Sequence, residues 1–207
     1  MNANGEKSGA TMMGSFNKMD NDVEWSDSIE QLLQRYADEA IIREALHRRS
    51  YYKYKKLTTC FQLPVIILSA LSGSFTFIAS KYPSIENIII TSTGSVSILV
   101  SIISAVYSYL KLGETMSKHE VAEVAWQSFL NKIKHELNLR RDIRTEAGTF
   151  IEEVKLIYER LFELSPIVNQ SIINKTKIKI RAIDHELFNI PNYMNGFTAT
   201  TVFQEMD

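Results

Sequence analysis

The sequence predicts an all-α membrane protein: a two-span transmembrane helical hairpin with long amphipathic cytoplasmic helices forming a bundle. Three observations predict it. Segments 57–80 and 87–110 are each 24 residues long and contain no Asp, Glu, Lys, Arg or His. Only Lys81-Tyr82-Pro83-Ser84-Ile85-Glu86 joins them. The flanking segments repeat apolar residues at helical spacing, with charges between the repeats. The 23 basic and 24 acidic residues thus all fall in the other 159 positions. A soluble domain rarely keeps stretches of that length uncharged, and a membrane span needs about 20 apolar residues.

Residues 1–25 are polar, rich in Gly, Asn and Ser, and read as a disordered tail. They hold no apolar stretch that could serve as a signal-peptide core, and position 2 is not the Gly of a myristoylation site. Residues 26–56 read as an amphipathic helix. A capping signal at Ser26/Asp27 leads into Ile29, Leu32, Leu33, Tyr36 and Ala40, and no Pro or Gly interrupts the segment before the first span.

In the first span, 57–80, Pro64 deprives the Cys60 carbonyl of its helical partner and predicts a kink. In the loop 81–86, Pro83 stops the first helix and Ser84 is the expected N-cap of the second. A hairpin puts both termini on one side. Arg43, Arg48, Arg49, Lys53, Lys55 and Lys56 precede the first span, against a single Lys81 in the loop. The positive-inside rule therefore keeps both termini cytoplasmic. Within that stretch Arg48, Arg49, Tyr51, Tyr52, Lys53, Tyr54, Lys55 and Lys56 form a membrane-interface anchor, aromatic and basic at headgroup level. An anionic-lipid site is the sharper alternative for the same residues.

In the second span, 87–110, Gly94, Ser97, Ser101, Ser104 and Ser108 recur at spacings of 3, 4, 3 and 4. Gln62, Ser69, Ser72/Gly73, Thr76 and Ser80 are a looser counterpart in the first, with Ser69, Gly73 and Thr76 its main packing candidates. Small residues allow close helix packing and hydroxyls can bond across it. The alternative is a polar face lining an aqueous path, which needs several copies of the hairpin. No ionisable residue lies within either span, which argues against a proton-coupled transporter or a voltage sensor.

Gly113 is the expected break before the cytoplasmic helices, 114–164. Val121, Trp126, Phe129/Leu130, Ile133 and Leu137 make one stripe. A Thr149…Glu152 capping box introduces another: Phe150, Val154, Ile157, Leu161 and Leu164. Ser165-Pro166 ends that helix, and 165–207 read as a C-terminal tail. Its basic segment 175–181 fits a strand with one basic face or a helix with Ile173, Thr176, Ile180, Ile183 and Leu187 on one side.

The search for chemistry finds no catalytic, metal or cofactor site. His-Glu occurs at 119, 135 and 185, but the second His of an HExxH zinc motif is replaced by Glu123, Leu139 and Asn189. No Walker loop, GxGxxG or GxSxG is present, and His47 near Ser50 lacks any oxyanion-hole motif. The expectation is a non-enzymatic protein without cofactor or small-molecule substrate. A near-zero net charge argues against nucleic acid as a partner. Cys60, alone, can form no intrachain disulfide and sits where palmitoylation occurs.

The order of these stretches resembles a known family. A Trp25-Ser-Asp leads to ALHRRSYYKYKK, LPVIILSALSGSFTF, YLKLGETMSKHEVAEVAWQSFLNKIKHEL and EEVKLIYERLFELSP. The pattern, roughly 25–166, resembles the SLATT superfamily of two-transmembrane effector domains, and looks most like stand-alone members encoded by large DNA viruses of algae and protists. The resemblance implies one SLATT-like domain over 26–164. It implies a homo-oligomer in a lipid bilayer that perturbs the membrane or forms a pore. The family has no active site to transfer, and Pro64, Ser69, Gly73 and the basic-aromatic stretch match its most recognisable part. This chain carries no fused sensor, nuclease or nucleotide-synthase domain. The alternative is a structural membrane protein of a virus particle, linking an internal virion membrane to the shell through a capsid or other viral protein.

Overall fold

The computed structural model describes residues 23–79 and 81–183, and every described element is helical. The first helix, α1 (Asp27–Ala79), runs for 53 residues, about 80 Å at the helical rise. It fuses the amphipathic segment and the first apolar run into one rod. Asp27 and Glu30 sit in its first turn, where acids complement the helix dipole. Ser26 bonds Ser28 through its hydroxyl and lends its carbonyl to Glu30. Pro64 lies within α1 without ending it.

The second helix, α2 (Glu86–Tyr109), follows a turn closed by three backbone bonds among residues 78–85. Its N-cap is Ile85 with no side-chain cap, so Ser84 does not take the expected role. Glu86 supplies the favourable charge at that end.

The break before α3 (Leu112–Leu137) also differs from expectation. It falls at Lys111, whose φ of 47° is left-handed, and Gly113 lies inside the first turn of α3. A Cβ at Gly113 would come within 2.7 Å of the Tyr107 hydroxyl. That glycine serves close approach of a side chain, and a lysine absorbs the turn.

Helix α4 (Ala147–Leu164) starts two residues before Thr149. Its N-cap is Glu146, whose carboxylate accepts the Thr149 hydroxyl, in place of the expected Thr149…Glu152 box. A short 3-10 turn, Arg141–Ile143, precedes it. The fifth helix, α5 (Gln170–Ile183), occupies part of the segment read as a tail and resolves 175–181 as helix. The expectations for 1–22 and for Leu187 lie outside the described residues.

One core joins the first half of α1 to α3 and α4. Leu33, Ala37 and Ala40 pack on Ala122, Trp126, Phe129, Leu130 and Ile133, with Phe150 and Val154 completing the cluster. Trp126 is fully buried and donates its indole N–H to the Ser165 hydroxyl at 2.8 Å. Leu32, Val121 and Leu164, read from spacing as stripe residues, are exposed. At the far end Arg144, nearly buried, donates to the carbonyls of Leu137 and Leu139, pairs with Glu30 and lies 4.7 Å over the Trp25 ring. The Trp25 indole donates to the Thr145 carbonyl at 2.8 Å. These bonds clip the start of α1 to the α3–α4 turn. A smaller cluster, Ile42, Leu46 and Ile172, seats α5 on α1.

Candidate functional site

Beyond residue 56, α1 and α2 pair antiparallel, and both are long and apolar enough to cross a membrane by length and composition. The apolar window of each has no buried residues. The pair has two unlike sides. On one, mostly apolar, Leu68, Leu71 and Phe75 face Ile88, Ile89 and Val96, with Ser72, Ser92 and Thr93 among them. On the other, Ser69, Ser72, Gly73 and Thr76 meet Thr93, Ser97, Val100 and Ser101 around a groove of about 400 Å³. The apolar side is also grooved, at about 290 Å³, so the two sides differ chiefly in the polarity of their lining.

Five of the residues singled out by spacing, Ser69, Gly73, Thr76, Ser97 and Ser101, therefore share one concave surface. Gly94, Ser104 and Ser108 lie outside it. A Cβ added at Gly73 or Gly94 would meet nothing within 4 Å, so neither glycine is required for the contact between these two helices. The hydroxyls do not bridge the helices either. Thr76 bonds the Ser72 carbonyl, Ser97 that of Thr93 and Ser101 that of Ser97, each within its own helix. Ser74, Thr91 and Ser95 do the same. Such back-bonding satisfies the donor where no water is available.

The basic-aromatic stretch divides by contact. Arg48 is bound to Glu44 and, at 2.8 Å, to Glu123 of α3. Arg49 donates to the Thr176 hydroxyl at 2.6 Å, and that hydroxyl donates to the Ile172 carbonyl. Tyr54 stacks on His119 with centroids 5.5 Å apart. Tyr51 is half-buried, with Lys55 5.3 Å over its ring. Tyr52, Lys53, Lys55 and Lys56 are exposed.

Spacing alone missed a buried histidine pair. His47 of α1 and His119 of α3 face each other with Nδ1 atoms 3.0 Å apart, both about 2% exposed or less. One neutral ring donates its Nδ1–H and the other accepts it. Burial, the facing His119 and the charge of Arg43 lower the His47 pKa to about 4, and burial lowers that of His119. Ser50 donates to the Leu46 carbonyl, so it forms no hydroxyl–imidazole relay with His47. The signal was present in the stripes: His47 falls seven residues after Ala40, and His119 three before Ala122. No group of three or more metal-ligating side chains occurs among the described residues. Comparison with family models, with curated proteins and with solved structures finds no match.

Proposed function

We propose that this chain is a non-enzymatic integral membrane protein, cytoplasmic at both ends. Its hairpin oligomerises through the small-residue side and perturbs or perforates the bilayer. The observation that carries the reading is the two-sidedness of the α1–α2 pair. An apolar side suits lipid. The opposite side leaves an open groove of hydroxyls, in which Gly73 is free to admit a neighbour closely. Two helices cannot enclose a path, so perforation requires several copies around that groove. The resemblance of the residue order to SLATT domains supports the same reading.

The test is the oligomeric mass of the protein in native-lipid nanodiscs, with dye or ion flux from liposomes measured on the same preparations. The expected result is a ring-sized oligomer with flux, both lost when Ser97 and Ser101 are changed to Leu. A monomer or dimer indifferent to those changes, in sealed liposomes at high loading, would overturn the proposal and favour a structural anchor of a virion membrane.

A further inference from the structure

Taking 57–80 and 87–110 as the spans fixes the height of everything attached to α1. We propose that α5 lies at the cytoplasmic membrane surface and, with Lys53, Lys55 and Lys56 of α1, forms a basic collar that binds anionic lipid headgroups. The inference rests on the membrane reading above and gives α5 a partner.

The composition of α5 is one-signed. Residues 170–183 contain Lys175, Lys177, Lys179 and Arg181 and no acid, and the next acids, Asp184 and Glu186, lie beyond the described residues. Its buried side, Ile172 and Thr176, packs on α1. Its outer side presents Lys175, Ile178 and Lys179, with Ile178 69% exposed. A helix with an uncompensated row of lysines on its open side suits electrostatic attraction to a phosphate surface.

The Arg49–Thr176 bond sets the distance. Ile172 packs on Ile42 and Leu46, and Arg49 stands eight residues before Leu57, so α5 crosses α1 about 12–22 Å from the start of the apolar run, with its lysine side chains extending about 6 Å beyond its axis. Headgroups occupy about 5–8 Å of that gap, and the field of an anionic surface extends about 8 Å further at physiological salt. The lysines of α5 thus stand within reach of the surface that Lys53, Lys55 and Lys56 flank directly.

Most acids at this height are engaged; Glu120 of α3 is exposed and, among the described residues, forms no ion pair. Glu44 and Glu123 hold Arg48, Glu39 holds Arg43, and Glu114 takes Lys111 and Lys118. Among the described residues, Lys53, Lys55, Lys56, Lys175 and Lys179 form no ion pair with a carboxylate. Unpaired lysines suit a phosphate surface, and the proposed spans would place one beside them.

The full chain in nanodiscs of phosphatidylcholine, with or without phosphatidylserine, provides the test through amide hydrogen exchange. In the anionic discs exchange in α5 is expected to slow about tenfold, with α4 unchanged as an internal reference. Lys175→Glu with Lys179→Glu is expected to abolish the difference while the protein stays in the disc. Equal exchange of α5 in both discs would overturn the collar. Protection by an RNA oligonucleotide in neutral discs exceeding that by anionic lipid would overturn it in favour of a nucleic-acid face. A chain that stays soluble without disc or detergent would instead refute the membrane reading itself.

Discussion

Lowering the pH from 7 to 5 is expected to loosen the contact between α1 and α3 at His47 and His119. In the unfolded chain a histidine takes up its proton near pH 6.5, whereas burial, His119 and Arg43 hold folded His47 to about 4. A depressed folded pKa means stability that is fully present above pH 6.5 and lost as the pH falls toward 4. For His47 alone the loss is about 2 kcal/mol at pH 5, approaching about 3 kcal/mol below pH 4. The groups around the pair reinforce the sign. Arg43 on α1 is a cation that opposes protonation, Arg48 is paired with both Glu44 and Glu123, and Tyr54 stacks on His119. The α4–α5 connection contributes Ser165, Pro166 and Val168, none of which titrates in this range. The assay is urea unfolding in detergent micelles followed by tryptophan fluorescence, because the only two tryptophans, Trp25 and Trp126, both report on this bundle. The His47→Gln, His119→Gln double variant cannot be protonated at either site and should be flat over the same range. Wild type equally stable at pH 7 and 5, or a double variant falling as steeply, would refute the reasoning.

Trp126→Ala empties the centre of the core and removes the bond to Ser165; a loss of about 3–5 kcal/mol is expected in the same unfolding assay. Arg144→Ala strips the Leu137 and Leu139 carbonyls of their donor and leaves Glu30 held by Arg141 alone. It should cost roughly 2 kcal/mol and raise the Glu30 pKa only part of the way from about 2, because Arg141, the larger cause of the depression, remains; carboxylate NMR titration would report it. Lys111→Gly relieves a left-handed residue and is expected to raise stability by about 1 kcal/mol, seen as a higher thermal midpoint.

The legible parts of the fold were those with one dominant period. Unbroken helical spacing from Ser26, with no Gly before Gly73, foretold that α1 would run into the apolar segment. Glycine misled at 113, because its small size answers to Tyr107 across the turn and not to a backbone need. In Lys-Ile-Lys-Ile a period of two and a helical period coexist; only the contact of Ile172 with Ile42 and Leu46 decides between them. Ser84 and Thr149 carry capping side chains one or more positions away from where tertiary packing starts the helices. Likewise His47 and His119 are 72 residues apart and belong to no motif. They become a pair only because the stripes of α1 and α3 face each other.

The way the groove hydroxyls are satisfied bears on what force would join the copies. Ser97 and Ser101 already donate to carbonyls of their own helix at 2.8 and 2.9 Å, so a neighbouring copy gains no new donor from them. Association through this side then rests on the closeness that small side chains permit, with hydrogen bonds across the contact secondary. The two contributions separate by substitution. Ser97→Ala with Ser101→Ala keeps the groove shallow-walled and removes the hydroxyls, and should leave the oligomer mass in nanodiscs unchanged. Changing the same pair to Leu fills the groove from both positions and should dissociate it. If the alanine variant dissociates as fully as the leucine variant, polar contacts hold the copies together. The back-bonded hydroxyls would then have to turn outward on assembly, which their donors could do only by releasing the Thr93 and Ser97 carbonyls.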